Sequence, residues 1–200
     1  MTVYNLRTPV SEDEVKQLRL KDIVYLSGTI ITARDSAHKR ALNLHKKGKQ
    51  LPINIEGLAV FHCGPVVKQK NGKWIVVAAG PTTSTRLELF EAQFIKNFKV
   101  RVVIGKGGMG KKTVDAMKQY GAFYGAFTGG AAVLAAKAIK QVKGVEWRDL
   151  GMPEAMWILE VEDFGPLTVA IDAHGNNLFQ TIHNNTEKKK HAIYKKLGLI

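Results

Sequence analysis

Apolar residues occur along this chain in short bursts, most of them only long enough for a strand, with helix-length amphipathic stretches between them. Ser11 followed by Glu12, Asp13 and Glu14 predicts the start of a short helix, with the serine as cap and the acids at the positive end of the helix dipole. Residues 22–26 read as a strand, and 29–32 as a second β-rich run after Gly28. Asp35 opens a predicted helix reaching about Lys47, with Ala37, Ala41, Leu42 and Leu44 inward and Gly48 at its end. Residues 58–62 form a short apolar strand. Asn71-Gly72 predicts a hairpin joining 66–69 to 74–79, which Gly80-Pro81 stops. A helix over 87–97, a buried strand over 100–104, a glycine-rich turn over 105–110, a helix over 113–120 and a strand over 122–127 follow. An alanine-rich helix is predicted from Gly129-Gly130 to about Val142, then strands over 157–161 and 167–171. The lysine-rich tail, 185–200, reads as helical. Strands alternating with helices around one hairpin predict an α/β class protein, a mixed sheet flanked by helices, in one domain spanning 1–200.

Composition narrows the field. A chain of 200 residues that is 45% hydrophobic and 24% charged is neither disordered nor fibrous. No apolar run reaches the ~18 residues that cross a bilayer. The opening MTVYNLRTPVSEDE lacks a secretory core, so a cytoplasmic location and no membrane partner are expected. The single cysteine, Cys63, can form no internal disulfide and cannot supply the several thiolates of an iron–sulfur cluster. Thirty Lys+Arg against 17 Asp+Glu leave a charge of +13, which favours an anionic partner.

Some motifs point to other chemistry and stop short of it. Gly105-Lys106-Gly107-Gly108-Met109-Gly110 fits G-x-G-x-x-G between a strand and a helix. The acid expected about 20 residues on is absent, and Gly125-Ala126-Phe127-Thr128 stands there. The same segment with Lys111 approaches a P-loop, but Lys112 takes the place of the magnesium-binding hydroxyl. The basic balance also suits a nucleic-acid-binding module, the alternative of a different class. Against it, the lysines are dispersed, and no zinc-finger spacing or aromatic RNA-binding motif is present.

Three predicted strand-end loops carry the remaining chemistry: Thr32-Ala33-Arg34-Asp35, Gly80-Pro81-Thr82-Thr83-Ser84-Thr85-Arg86 and Gly105-Lys106-Gly107-Gly108. Arginine grips a carboxylate with paired hydrogen bonds, lysine adds a point charge, hydroxyls orient, and glycines let backbone N–H groups approach an anion. The set suits a small dicarboxylate or hydroxy acid. Each residue also has a structural alternative. Arg34 could cap or salt-bridge the next helix, and Thr83 or Ser84 could be an N-cap. Arg86 could pair with Glu88 or Glu91, and Lys106 could be a solvated loop lysine. His62 reads as a core histidine, and His38 as helix packing or pocket support.

These loops carry a resemblance. Ser27-Gly28-Thr29-Ile30-Ile31-Thr32-Ala33-Arg34-Asp35 with Ala37-His38-Lys39-Arg40 resembles the opening motif of the β subunits of class I fumarate hydratase and L(+)-tartrate dehydratase. Gly64-Pro65-Val66-Val67, the loop 80–86, Ile104-Gly105-Lys106-Gly107-Gly108-Met109 and Trp157-Ile158-Leu159-Glu160-Val161-Glu162-Asp163-Phe164 follow in that family's order. The resemblance implies a swivelling β/β/α domain. It also implies an α subunit holding a 4Fe-4S cluster that this chain does not bind, an α2β2 assembly, and an active site shared between the two chains. By motif position, Arg34, Thr82, Thr83, Arg86 and Lys106 would bind the substrate diacid, Thr82 would be the catalytic proton-transferring group, and no metal would be held by this chain.

Overall fold

The computed structural model describes residues 1–199. The chain opens with strand β1 (Val3–Arg7), then helix α1 (Glu12–Gln17), strand β2 (Ile23–Thr32), helix α2 (Asp35–Lys46) and strand β3 (Ala59–Phe61). A hairpin, β4 (Val66–Lys70) and β5 (Lys73–Ala78), leads through a 3-10 turn (Ser84–Leu87) into α3 (Glu88–Phe98). Strand β6 (Val102–Gly105), helix α4 (Lys111–Tyr120), strand β7 (Phe123–Ala126), helix α5 (Ala132–Ala138), strands β8 (Ile139–Glu146) and β9 (Met156–Ile171), and helix α6 (Leu178–Lys196) complete it. Ser11 and Glu14 form a reciprocal cap at the start of α1, as the sequence predicts.

The main sheet runs β1-β2-β3-β6-β7-β9-β8. The first five are parallel, whereas β9 is antiparallel to β7 and also pairs with β2. That second pairing joins β2, β3, β6, β7 and β9 into a ring. Alternate residues serve its two faces. Ala59, Phe61, Val102, Ile104, Phe123 and Phe164 belong to one core, and the Phe61 and Phe164 rings meet at 5.2 Å from strands that are not neighbours in the sheet. Val60, Val103 and Tyr124 face the opposite way, against Ala37 and Ala41 of α2, Phe94 and Ile95 of α3 and Met117 of α4. Burial on both faces is why these strands read as unbroken apolar runs.

The mixed sheet flanked by helices stands as expected, with corrections to individual elements. The runs 22–26 and 29–32 are one strand: Gly28 takes a positive φ of 101° and lets β2 continue past Thr8, whose Oγ1 a Cβ would strike. The strands 157–161 and 167–171 are likewise joined in β9, and the register of β2 against β9 shifts between Leu26 and Gly28. The alanine-rich helix ends at Ala138, and β8 replaces its predicted last turn. Ile139 and Val142, spaced by three, fall inside the predicted helix, and Val145 lies beyond it. Two register shifts in β8 let all three pack on the core from an extended chain. The edge strand β1 had no sequence signal beyond Val3, Tyr4 and Leu6.

Helix α6 is capped by Asn177, whose side chain accepts from the Phe179 and Gln180 N–H groups. Its residues from Gln180 onward are exposed. Deleting 185–200 is therefore expected to change unfolding free energy by no more than about 0.5 kcal/mol, read as an unchanged denaturant midpoint. No helix among the described residues is long and apolar enough to cross a membrane.

Candidate functional site

Parallel pairing brings the C-terminal ends of β2, β3, β6 and β7 to one edge of the sheet, where an α/β sheet places its functional loops. The loop after β2 holds Arg34. After β3 the chain leaves through the β4–β5 hairpin and returns at Pro81, which bridges to Cys63. The Thr82 N–H then donates to the His62 carbonyl at 2.6 Å. The loop after β6 locks onto this return: Lys106 N–H donates to the Thr82 carbonyl at 3.3 Å, and Ser84 N–H to the Lys106 carbonyl at 2.9 Å. The Thr85 hydroxyl donates to the Gly108 carbonyl at 2.9 Å. Arg86 reaches back to the first loop, its Nη2 donating to Asp35 Oδ2 at 2.8 Å. Arg34 lies against Gly64, where a Cβ would stand 2.8 Å from its Nη1.

All three sequence-predicted loops therefore meet, and Arg34, Thr82, Thr83, Arg86 and Lys106 share one surface. Arg34 and Thr82 are half-buried, and Thr83, Arg86 and Lys106 are exposed. Arg34 makes a salt bridge, but to the turn before β9 and not to the next helix as its alternative expects: its Nε is 3.2 Å from Glu154 Oε1, while Glu154 Oε2 accepts from the Ser36 N–H. Arg86 pairs with Asp35 and not with Glu88 or Glu91. Among the described residues no carboxylate pairs with Lys106. With Thr83, Arg86 and Lys106 exposed, this part of the cationic surface is open to solvent.

The glycine-rich turn does not serve as a phosphate cradle. Glu88 places its carboxylate at the N-terminus of α4, accepting from Gly110 N–H at 2.7 Å and from the Thr113 hydroxyl at 2.7 Å. The place a phosphate would take is filled by a side chain of the protein itself. Lys111, the P-loop-like lysine, is held by Asp115. Glu88→Ala removes this cap and is expected to cost about 1–2 kcal/mol of stability, measured by chemical denaturation.

Beneath the surface lies a polar group that the sequence reading divided among bland roles. Tyr124 OH donates to Ser84 Oγ at 2.9 Å, Ser84 Oγ is 2.9 Å from His62 Nδ1, and His62 Nε2 is 2.8 Å from Glu91 Oε2. His38 Nε2 stands 3.2 Å from the same carboxylate oxygen, and its Nδ1 is 2.9 Å from the Arg34 carbonyl. His38, His62, Ser84 and Glu91 are wholly buried. Burial pushes the Glu91 carboxyl up, but the two histidines facing it pull it further the other way, to about 2. Burial drives His62 below the ordinary histidine range despite Glu91. The signal for Glu91 was present in the sequence. It falls on the same helical stripe as the apolar residues Leu87, Phe94 and Ile95, where a charge calls for a partner.

The ligand-type atoms of His38, His62 and Glu91 lie within 4.8 Å of one another, at hydrogen-bond and ion-pair separations. Cys63 is buried, and burial pushes its thiol up to about 12 although Arg34 pulls it down. One buried cysteine offers at most one of the several thiolates that an iron–sulfur cluster takes.

The profile described as fumarase C-terminus matches residues 1–182, leaving most of α6 outside the match. The β subunit of L(+)-tartrate dehydratase from Escherichia coli (strain K12) is 43% identical over 173 residues, 86% of this chain and 85% of the relative. The corresponding subunit from Shigella sonnei (strain Ss046) matches to the same extent. A chain from Geobacillus stearothermophilus named "Putative fumarate hydratase class I" is 42% identical over 188 residues, 94% of this chain but 35% of the longer relative. With a profile match over nine-tenths of its length and these identities, the chain belongs to the fumarase C-terminus family, alongside the β subunits of L(+)-tartrate dehydratase.

Proposed function

We propose that this chain is the β subunit of a hydro-lyase that reversibly hydrates fumarate to (S)-malate, and that it supplies the carboxylate-binding side of an active site shared with an α subunit. The observation that carries the proposal is the convergence of Arg34, Thr82, Arg86 and Lys106 from three separate loops onto one open surface. An open cationic surface binds a small diacid weakly, and a second chain closing over it would exclude water and strengthen each charge contact.

In this reading Arg34, Arg86 and Lys106 hold the substrate carboxylates. Taking a proton from the carbon beside a carboxylate spreads negative charge into that carboxylate, where fixed cations stabilise it. Thr82 is the proposed proton-transferring group. Its backbone is held on both sides, by the His62 carbonyl and the Lys106 N–H. A threonine hydroxyl is a poor base unaided, so the proposal requires a group from the α subunit beside it. The 4Fe-4S cluster belongs, in this proposal, to the α subunit of an α2β2 assembly.

L(+)-tartrate dehydration is the second reading. It is favoured by the relatives' proportions: the matched tartrate dehydratase chains are separate β subunits covered over 85% of their length, whereas the fumarate hydratase relative is covered over 35%. Co-expression with an α chain under anaerobic conditions, followed by parallel assays of fumarate, (S)-malate and L(+)-tartrate, decides between them. Turnover of fumarate and malate above tartrate supports the first reading, and the reverse preference supports the second. No turnover of any diacid by an assembled complex would overturn both.

A further inference from the structure

The buried chain under the loop 82–86 has a direction. Tyr124 OH donates to Ser84 Oγ, so the Ser84 hydroxyl proton is free to go to His62 Nδ1, and His62 Nε2–H then donates to Glu91 Oε2. Every hydroxyl and ring proton along the chain finds an acceptor. The opposite polarity would need a protonated Glu91 and would leave the Tyr124 hydroxyl proton with no acceptor in this chain, a costly outcome for a buried group.

His38 supplies the charge that this direction requires. Its Nδ1 faces the Arg34 carbonyl, an acceptor only, and must carry hydrogen. Its Nε2 is fully buried and has no hydrogen-bond partner; the one polar atom facing it is Glu91 Oε2, at an ion-pair separation of 3.2 Å. Phe94 lies against the ring at 4.5 Å and Phe90 at 6.4 Å. A bare nitrogen there would set a lone pair against an anionic oxygen, while a proton on it makes the contact attractive. Glu91 touches no lysine or arginine among the described salt bridges, and a carboxylate without a counter-ion at this depth is strongly disfavoured. The other titratable groups near the cluster, Asp35 at the start of α2 and Tyr124 on β7, supply no positive charge.

We propose that His38 is the buried counter-ion of Glu91, and that this pair fixes His62 in the Nε2–H tautomer so that its Nδ1 takes the Ser84 hydroxyl proton and pins the loop 82–86. His62, Glu91 and Ser84 are then positioning residues, and for Thr82 and Arg86 that role rests on the functional reading above. The His62 backbone carbonyl holds Thr82 while its ring holds Ser84, so one residue anchors the loop at two points. Gly105 leaves room for this, since a Cβ there would collide with Ser84 Oγ.

The test uses the chain alone, with 15N NMR of the histidine rings at neutral pH. His62 is expected to show a protonated Nε2 and a bare Nδ1, and His38 protons on both nitrogens. In Glu91→Gln, the amide nitrogen can donate to both Nε2 atoms, so His62 is expected to switch to the Nδ1–H form and His38 to lose its charge. A wild-type His62 carrying its proton on Nδ1, a His38 with a bare Nε2, or a stoichiometric metal held by these rings would overturn the proposal. In Ser84→Ala, amide exchange at Thr82 is expected to quicken at least about tenfold while β6 is unchanged. Unchanged exchange would overturn the anchoring role. None of these readouts needs activity, so their failure is distinct from a failure to hydrate fumarate.

Discussion

Arg86→Ala, assayed in complex with an α subunit, is expected to lower kcat/KM for the diacid by about 2–5 kcal/mol of transition-state binding, roughly 30- to several-thousand-fold. The size follows from what the side chain does. Arg86 is exposed in this chain and pairs with an Asp35 that is itself partly exposed. An exposed pair of this kind contributes about 0–1 kcal/mol to folding. The same guanidinium under a closing partner would face a substrate carboxylate away from water, where losing it leaves a buried charge unpaired. Activity and stability should therefore separate: a large fall in kcat/KM with a thermal midpoint essentially that of the parent chain. A fall in both together would mean that Arg86 holds the fold and not the substrate.

Glu91→Ala is expected to do the reverse, with stability reduced by about 3–5 kcal/mol. The carboxylate is buried between two histidines, and its removal strands His38 and the Ser84 hydrogen-bond chain without an acceptor. Urea unfolding at neutral pH measures the loss. The pH dependence carries a sign. Glu91 lies at about 2 in the folded protein, below its ordinary value of 4.5. Its contribution is complete above about pH 4.5 and is lost as the pH falls toward 2. The gap between the parent chain and Glu91→Ala should therefore narrow on acidification below pH 4.5, and a gap that widened there would contradict the ionised assignment.

The two readings of this chain that needed only local order survive in the fold, and the rest show where local order ends. Unbroken apolar runs located β3, β6 and β7 because each strand is buried on both faces. Asn71-Gly72 located the hairpin because that turn needs its positive φ values, 51° and 73°. Spacing alone could not distinguish β8 from a helix, since its bulges convert a period of three into a strand. Nor could it show that β9 would pair with β2 and close a ring, because that contact joins residues more than a hundred positions apart. The exposed part of the site was legible because arginine, threonine and lysine in strand-end loops have few structural uses in common. Of the buried part, only the charge of Glu91 on an apolar helical stripe left a signal. His38, His62 and Glu91 come from α2, the end of β3 and α3, and only the folded sheet brings them together.

The central claim is that the three loops bind substrate carboxylates, and a double-mutant cycle on the assembled complex tests it most directly. Succinate and its monoamide are compared as inhibitors of the parent complex and of Lys106→Met, a position whose lysine has no carboxylate partner among the described residues. If the lysine meets a carboxylate, the substitution weakens succinate at least about tenfold more than the monoamide, a coupling of about 1.4 kcal/mol. Equal weakening of the two inhibitors, or none of either, would contradict the account.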